Sequence, residues 1–134
     1  MIYIQLFSLL FSYFLINNWE EKLQITANLI GFESSKGKAM VLLLDQNEKI
    51  IATDILTIKN NQAQFIANSL NAGSYAIKVY HDENSNKKLD ANILGIPKEK
   101  WGVSNNVEAK LGPPDFKKML FVVKSNISIQ IRLK

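Results

Sequence analysis

The chain has 134 residues, 47% of them hydrophobic and 21% charged, with 16 Lys and Arg against 12 Asp and Glu and no cysteine. That length suits one domain with a real core and leaves no room for a multi-domain enzyme or a polytopic membrane protein. Without cysteine there is no disulfide, no thiolate metal site and no lipid attachment through an N-terminal cysteine. The net charge of +4 comes from scattered lysines, with short pairs at Lys87-Lys88 and Lys117-Lys118. Nucleic-acid binders concentrate basic residues on one face, so nucleic acid is not an expected partner.

Ile2 to Ile16 is a nearly continuous apolar run, broken by Gln5, Ser8 and Ser12, and no charged residue precedes Glu20. A helix rises about 1.5 Å per residue, so this run falls short of a ~30 Å hydrocarbon core. It has the size of a signal-peptide core, although it lacks a basic flank and a small-x-small cleavage site. Residues 1–19 are therefore expected to be a signal peptide or an uncleaved anchor, or to follow a misplaced start. Residues 20–134 form the mature domain, exported to the periplasm, the outer surface or the medium. Membrane contact is expected only through an uncleaved N-terminal segment.

Beyond Trp19 the pattern has period two. Leu23, Ile25, Ala27 and Leu29 alternate with polar residues, as in a half-buried strand. Met40 to Leu44 reads as a central strand, and Lys49 to Thr53 as a short one. Ile55 to Ile58 and Gln62 to Ala67 flank the turn Lys59-Asn60-Asn61 and read as a hairpin. In Leu70-Asn71-Ala72-Gly73-Ser74-Tyr75 the tyrosine enters a strand at its start. It is expected to bury its ring and return its hydroxyl to upstream backbone. Met119 to Val123 and the alternating Ile127, Ile129, Ile131 and Leu133 read as a second hairpin around Lys124-Ser125-Asn126. About seven short strands, each with one apolar face, predict an all-β sandwich of two antiparallel sheets.

Between Tyr80 and Met119 lie nearly forty residues without a sustained pattern, far beyond the ~12–15 residues usual for a connection. Leu89, Ile93, Leu94, Ile96, Trp101, Val103 and Phe116 predict an ordered loop packed onto the sandwich. Its first part spaces Asp82, Asn84, Asn86, Lys88 and Asp90 as positions one, three, five, seven and nine of a calcium loop. Lys88 would contribute its backbone carbonyl. Lys87 stands where such a loop needs Gly, and Ile93 where it needs a bidentate Glu. The same spacing also builds a run of Asx turns that cap their own backbone. Either way the four acidic and amide side chains are expected to face one point. Trp101 serves as a stacking platform if exposed and as the loop's anchor if buried, and burial is the expectation.

Ala72-Gly73-Ser74-Tyr75-Ala76, HDENSNKKLD at 81–90, GIPKEKWGVSNN at 95–106 and GPPDF at 112–116 together resemble the bacterial family called domain of unknown function 2141. The resemblance runs from about Leu23 to the end. It implies an exported immunoglobulin-like or transthyretin-like β-sandwich and no established activity, substrate or cofactor. Ser85 and Lys87 stand where that family favours Gly, and Lys117-Lys118 where it favours acidic residues.

His81 is the only histidine. A zinc site takes three or four His, Cys or carboxylate ligands, so one histidine argues against zinc. A hydrolase would need a nucleophile such as Ser104 beside its ring. A glycosidase would need a carboxylate pair, for which Glu83 and Glu99 are available. The leading expectation is a non-enzymatic module whose loop presents a surface to a cell-envelope component, a carbohydrate or a protein. Calcium is its candidate cofactor, and Trp101, Glu99, His81, Asn105 and Asn106 are its candidate binding residues. A domain whose loop merely covers a sheet edge is the second reading, and a hydrolase using His81 the third.

Overall fold

The computed structural model describes residues 20–134. The expected signal peptide or anchor lies outside these residues. Eight strands follow one another: β1 Leu23–Ile30, β2 Lys38–Asp45, β3 Ile50–Thr57, β4 Gln62–Leu70, β5 Gly73–Asp82, β6 Trp101–Val103, β7 Phe121–Val123 and β8 Ile127–Arg132. A 3-10 turn at Ser104–Asn106 and a one-turn helix, α1 at Phe116–Met119, interrupt the long connection between β6 and β7.

The period-two pattern of β1 becomes burial in full, with Leu23, Ile25, Ala27 and Leu29 inside and each intervening residue half-buried. One sheet has the order β4-β1-β8. The other has the order β3-β2-β5, with β6 and β7 sharing the far edge of β5. The inner faces meet in a single core that includes Ile25, Leu29, Leu43, Ile77, Val79 and Ile131. Among the described residues this core runs from Leu23 to Leu133.

Two expected hairpins are instead passages between sheets. The turn at Lys59 forms, with Lys59 and Gln62 exchanging backbone hydrogen bonds of 2.8 and 3.0 Å. Yet β3 pairs with β2, while β4 pairs with β1 in the other sheet. Likewise β7 pairs with β5, and β8 pairs with β1. Strand β8 runs parallel to β1, the one parallel pair among the described residues. Alternation shows only that each strand has an apolar face. Two consecutive strands facing one core give the same pattern whether they lie side by side or opposite each other. The segments 49–53 and 55–58 also merge into β3, which continues through Asp54.

The tyrosine corner forms as expected. Tyr75 is buried, and its hydroxyl donates to the Asn71 carbonyl at 2.8 Å. Toward the other end of β5 the two sheets are stitched together. Trp101 N donates to Lys134 O at 3.2 Å, and Lys134 N returns a bond to Trp101 O at 2.9 Å. Gly102 allows this approach, because a Cβ there would sit 2.9 Å from the Arg132 carbonyl oxygen.

Candidate functional site

Strand β5 delivers the start of the long loop with two buried polar side chains on opposite faces. His81, 2% exposed, points into the core, and Asp82, 1% exposed, points outward beneath the loop. His81 Nε2 lies 2.8 Å from the Lys36 carbonyl, which only accepts, so this nitrogen donates. The ring meets Phe32 edge-on with centroids 5.4 Å apart. The bend over this pair is made by Gly37 at φ +65°. A Cβ on Gly37 would overlap the Asp82 carbonyl oxygen, so that position requires glycine on both counts.

The Asp82 carboxylate accepts Asn86 N at 3.0 Å on one oxygen and Lys87 N at 2.8 Å on the other. Asn84 Oδ1 accepts Asn86 N at 3.0 Å, and Asn86 Oδ1 accepts Lys88 N at 2.9 Å, two successive Asx turns. The amide NH2 groups of both asparagines then donate to Asp90, at 2.6 Å from Asn84 and 3.0 Å from Asn86. Asp82 and Asn84 thus share the Asn86 N–H, and Asn84 and Asn86 meet at Asp90. The amide bonds hold the Asp90 carboxyl below its ordinary value near 3.8, with smaller help from Lys98 and Lys88. Glu99 closes the base of the loop, accepting Glu83 N on one oxygen and Asp90 N on the other, each at 3.1 Å. Burial, with Asp82 and Glu99 nearby, raises the Tyr80 phenol above its ordinary value of 10.0.

Ser85 and Lys87 both adopt the left-handed backbone, at φ 60° and 64°. Both side chains thus hold conformations that non-glycine residues disfavour. Beyond Asp90 the chain forms a small projecting hairpin. Asn92 N donates to Ile96 O at 2.9 Å, and Asn92 Oδ1 accepts Leu94 N at 2.9 Å and Ile96 N at 3.0 Å. Lys98 N closes it on Asp90 O at 2.7 Å.

The expectation that the loop's apolar residues all pack onto the sandwich fails at this hairpin. Val103 is buried, and Trp101 and Phe116 pack with it around Ala76 and Met119. Leu89, Ile93, Leu94 and Ile96 instead face solvent, with Ile93 102%, Leu94 77% and Ile96 56% exposed. The Asx-braced turn points them away from the sheets, and the polar contacts at its base supply the order. The signal lay in Asn92-Ile93-Leu94-Gly95, turn-forming residues around two aliphatics.

The other candidate residues separate. Trp101 is half-buried, as an anchor of the β6 edge. Asn105 donates to the carbonyls of Lys118 and Leu120, at 2.9 and 3.0 Å. Asn106 accepts Arg132 N at 2.8 Å and donates to Gln130 O at 3.3 Å, covering the free side of β8. Trp101 and Asn106 also line a surface cavity of about 330 Å³ with Val107, Glu108, Arg132 and Lys134, which spacing could not reveal. Ser104 is fully buried, donating to Met119 O at 2.6 Å and accepting Ile77 N at 3.0 Å. It sits beside Ile77, four positions along β5 from His81, so the two do not form a nucleophile–base pair. No three His, Cys, Asp or Glu side chains group as metal ligands among the described residues.

Ser85→Gly and Lys87→Gly are each expected to stabilise the protein by about 0.5 kcal/mol, relief of left-handed strain outweighing the freedom glycine adds to the unfolded chain. Urea unfolding would show a higher midpoint. A lower midpoint in both would contradict the left-handed backbone. No curated protein matches the chain. Residues 27–130 match the family DUF2141, described as an uncharacterized protein conserved in bacteria, and the chain belongs to that family.

Proposed function

We propose that this protein is an exported, non-catalytic binding module whose loop from Asp82 to Lys100 presents a surface to a component of the cell envelope. The observation that carries this reading is the division of labour within the loop. Asp82, Asn84, Asn86, Asp90, Asn92 and Glu99 all bond to the loop itself, while Ile93 and Leu94 touch water. A braced turn that exposes aliphatic side chains is the form of a preorganised contact. The edge-covering reading has its own support further along the chain, where Trp101–Val103, Asn106 and Phe121–Val123 lie along β5 and β8. The hairpin at 90–98 pairs with neither sheet.

Replacing Ile93 and Leu94 by serine is expected to leave the melting temperature unchanged. Retention of the chain on isolated cell-envelope material should fall about tenfold or more, since each large aliphatic contributes roughly 1.5–3 kcal/mol when buried. A lower melting temperature with unchanged retention would return the whole loop to a structural role.

Calcium belongs to the same proposal, as a stabiliser of the loop. The meeting of Asn84 and Asn86 at Asp90, the Asn86 N–H shared by Asp82 and Asn84, and the left-handed turn at Lys87 support it. The Asn84 and Asn86 amides would have to turn their oxygens toward the ion. Calcium is expected to raise the melting temperature of metal-stripped protein, by the equivalent of about 2.7 kcal/mol at a hundredfold excess over Kd. Asp90→Ala should abolish the shift. Identical melting with calcium and with chelator would leave hydrogen bonds as the loop's sole brace.

A further inference from the structure

The hairpin apex carries a second pattern besides its apolar side chains. Each of the loop's four carboxylates accepts hydrogen bonds from the loop or its neighbour: Asp82 from Asn86 N and Lys87 N, Glu83 from the Ser34 hydroxyl, Asp90 from the two amides, and Glu99 from Glu83 N and Asp90 N, with Asp82 buried and Glu83 exposed. The lysines contrast with them. Ion pairs among the described residues are Lys22–Glu20 and Lys134–Glu108, so Lys87, Lys88 and Lys98 are unpaired, and all three are exposed. From Ala91 to Pro97 there is no charged residue at all. The outside of the loop therefore carries an aliphatic tip, Ile93-Leu94 with Ile96, and three exposed lysines, of which Lys88 and Lys98 lie near Asp90 at the base of the hairpin.

We propose that this apex is a membrane-docking wedge for a bilayer bearing anionic phospholipid, which names the partner of the loop surface proposed above and rests on that reading. Aliphatic side chains held out by a rigid turn can enter the acyl boundary without unfolding anything. Lysines just behind them lie at the depth of the phosphates, where each adds attraction to an anionic surface. Attachment of this kind is reversible and peripheral, since two or three buried aliphatics do not make a permanent anchor. Spacing along the chain assigned membrane contact to the N-terminal segment alone; the apex is a separate contact. It lies at the end of the sandwich opposite Leu23, because Leu23 pairs with Leu70 just before β5 begins, and the loop leaves β5 at its far end. It is thus directed away from the N-terminal side of the domain.

The test is co-sedimentation of residues 20–134 with vesicles of phosphatidylcholine alone and with vesicles that also contain phosphatidylglycerol. Binding to the anionic vesicles should be about tenfold or more tighter, and should weaken with added salt. Ile93→Asp with Leu94→Asp should abolish it with the melting temperature unchanged. Lys87→Gln, Lys88→Gln and Lys98→Gln together should remove the preference for anionic lipid. Absence of wild-type binding to either vesicle would overturn the proposal. So would anionic binding that survives the two aspartates, which would be diffuse charge attraction. If gel filtration shows a dimer that the two aspartates dissociate, the apex seats on a second copy of the chain and the bilayer proposal falls. Serine variants at the apex that lose envelope retention, with no vesicle binding by the wild type, would sink the lipid while leaving the binding-module reading intact.

Discussion

The buried carboxylate of Asp82 is the point on which the loop turns. It sits at the last position of β5, where the strand ceases to pair with β2, and it takes the backbone N–H groups of Asn86 and Lys87 on its two oxygens. Hydrogen bonds to a charged acceptor contribute roughly 1.5–3 kcal/mol, more than neutral ones. A carboxylate this buried would be costly without them. Its surroundings are shaped to it. Gly37 brings the β1–β2 connection against the Asp82 backbone where no side chain would fit, and the same connection accepts the His81 ring through Lys36. The Asp90 and Glu99 contacts then build outward from this fixed start, one closing the Asx turns and the other joining the two ends of the loop.

This arrangement separates order from burial. Fixing a residue's backbone costs about 1–2 kcal/mol, which most segments recover by burying apolar surface. Between Glu83 and Lys100 the compensation comes instead from polar contacts within the segment and to the Ser34–Gly37 bend. The aliphatic residues are then free to face outward, as Ile93 and Leu94 do. Further along, the connection changes character. Trp101, Val103, Phe116 and Met119 make a small apolar cluster on the outer face of β5, and Lys78 lies 5.6 Å from the Phe116 ring centre. Asn105 and Asn106 bond there to neighbouring backbone, so this part completes the sandwich while the earlier part projects from it.

Much of the fold is legible in the residues. Period-two burial marks β1 and β8, the apolar run of β2 marks a central strand, and Leu70 to Tyr75 announces the tyrosine corner. What sequence could not show is which sheet a strand joins. The apolar content of β3, β4, β7 and β8 says nothing about neighbours, so the passages at Lys59 and Lys124 pass for hairpins and the parallel β1–β8 pair goes unseen. At the loop, the spacing of Asp82, Asn84, Asn86 and Asp90 is legible as a run of Asx turns that ends on Asp90. The outward direction of Ile93 and Leu94 was hidden, because apolar composition alone favours burial. The edge contacts of Asn105 and Asn106 were hidden too, since they depend on where β8 and α1 end in space.

Amide hydrogen exchange across residues 82–100 tests most directly whether the loop is a rigid scaffold. Asn86, Lys87, Lys88, Asp90, Leu94, Ile96 and Lys98 each donate a backbone hydrogen bond within it. Their exchange should be slowed by about a hundredfold or more relative to an unstructured peptide of the same sequence. Exchange at the unstructured rate throughout this segment, with β5 fully protected, would mean that the loop is not preorganised and that the Asp82 contacts do not hold it.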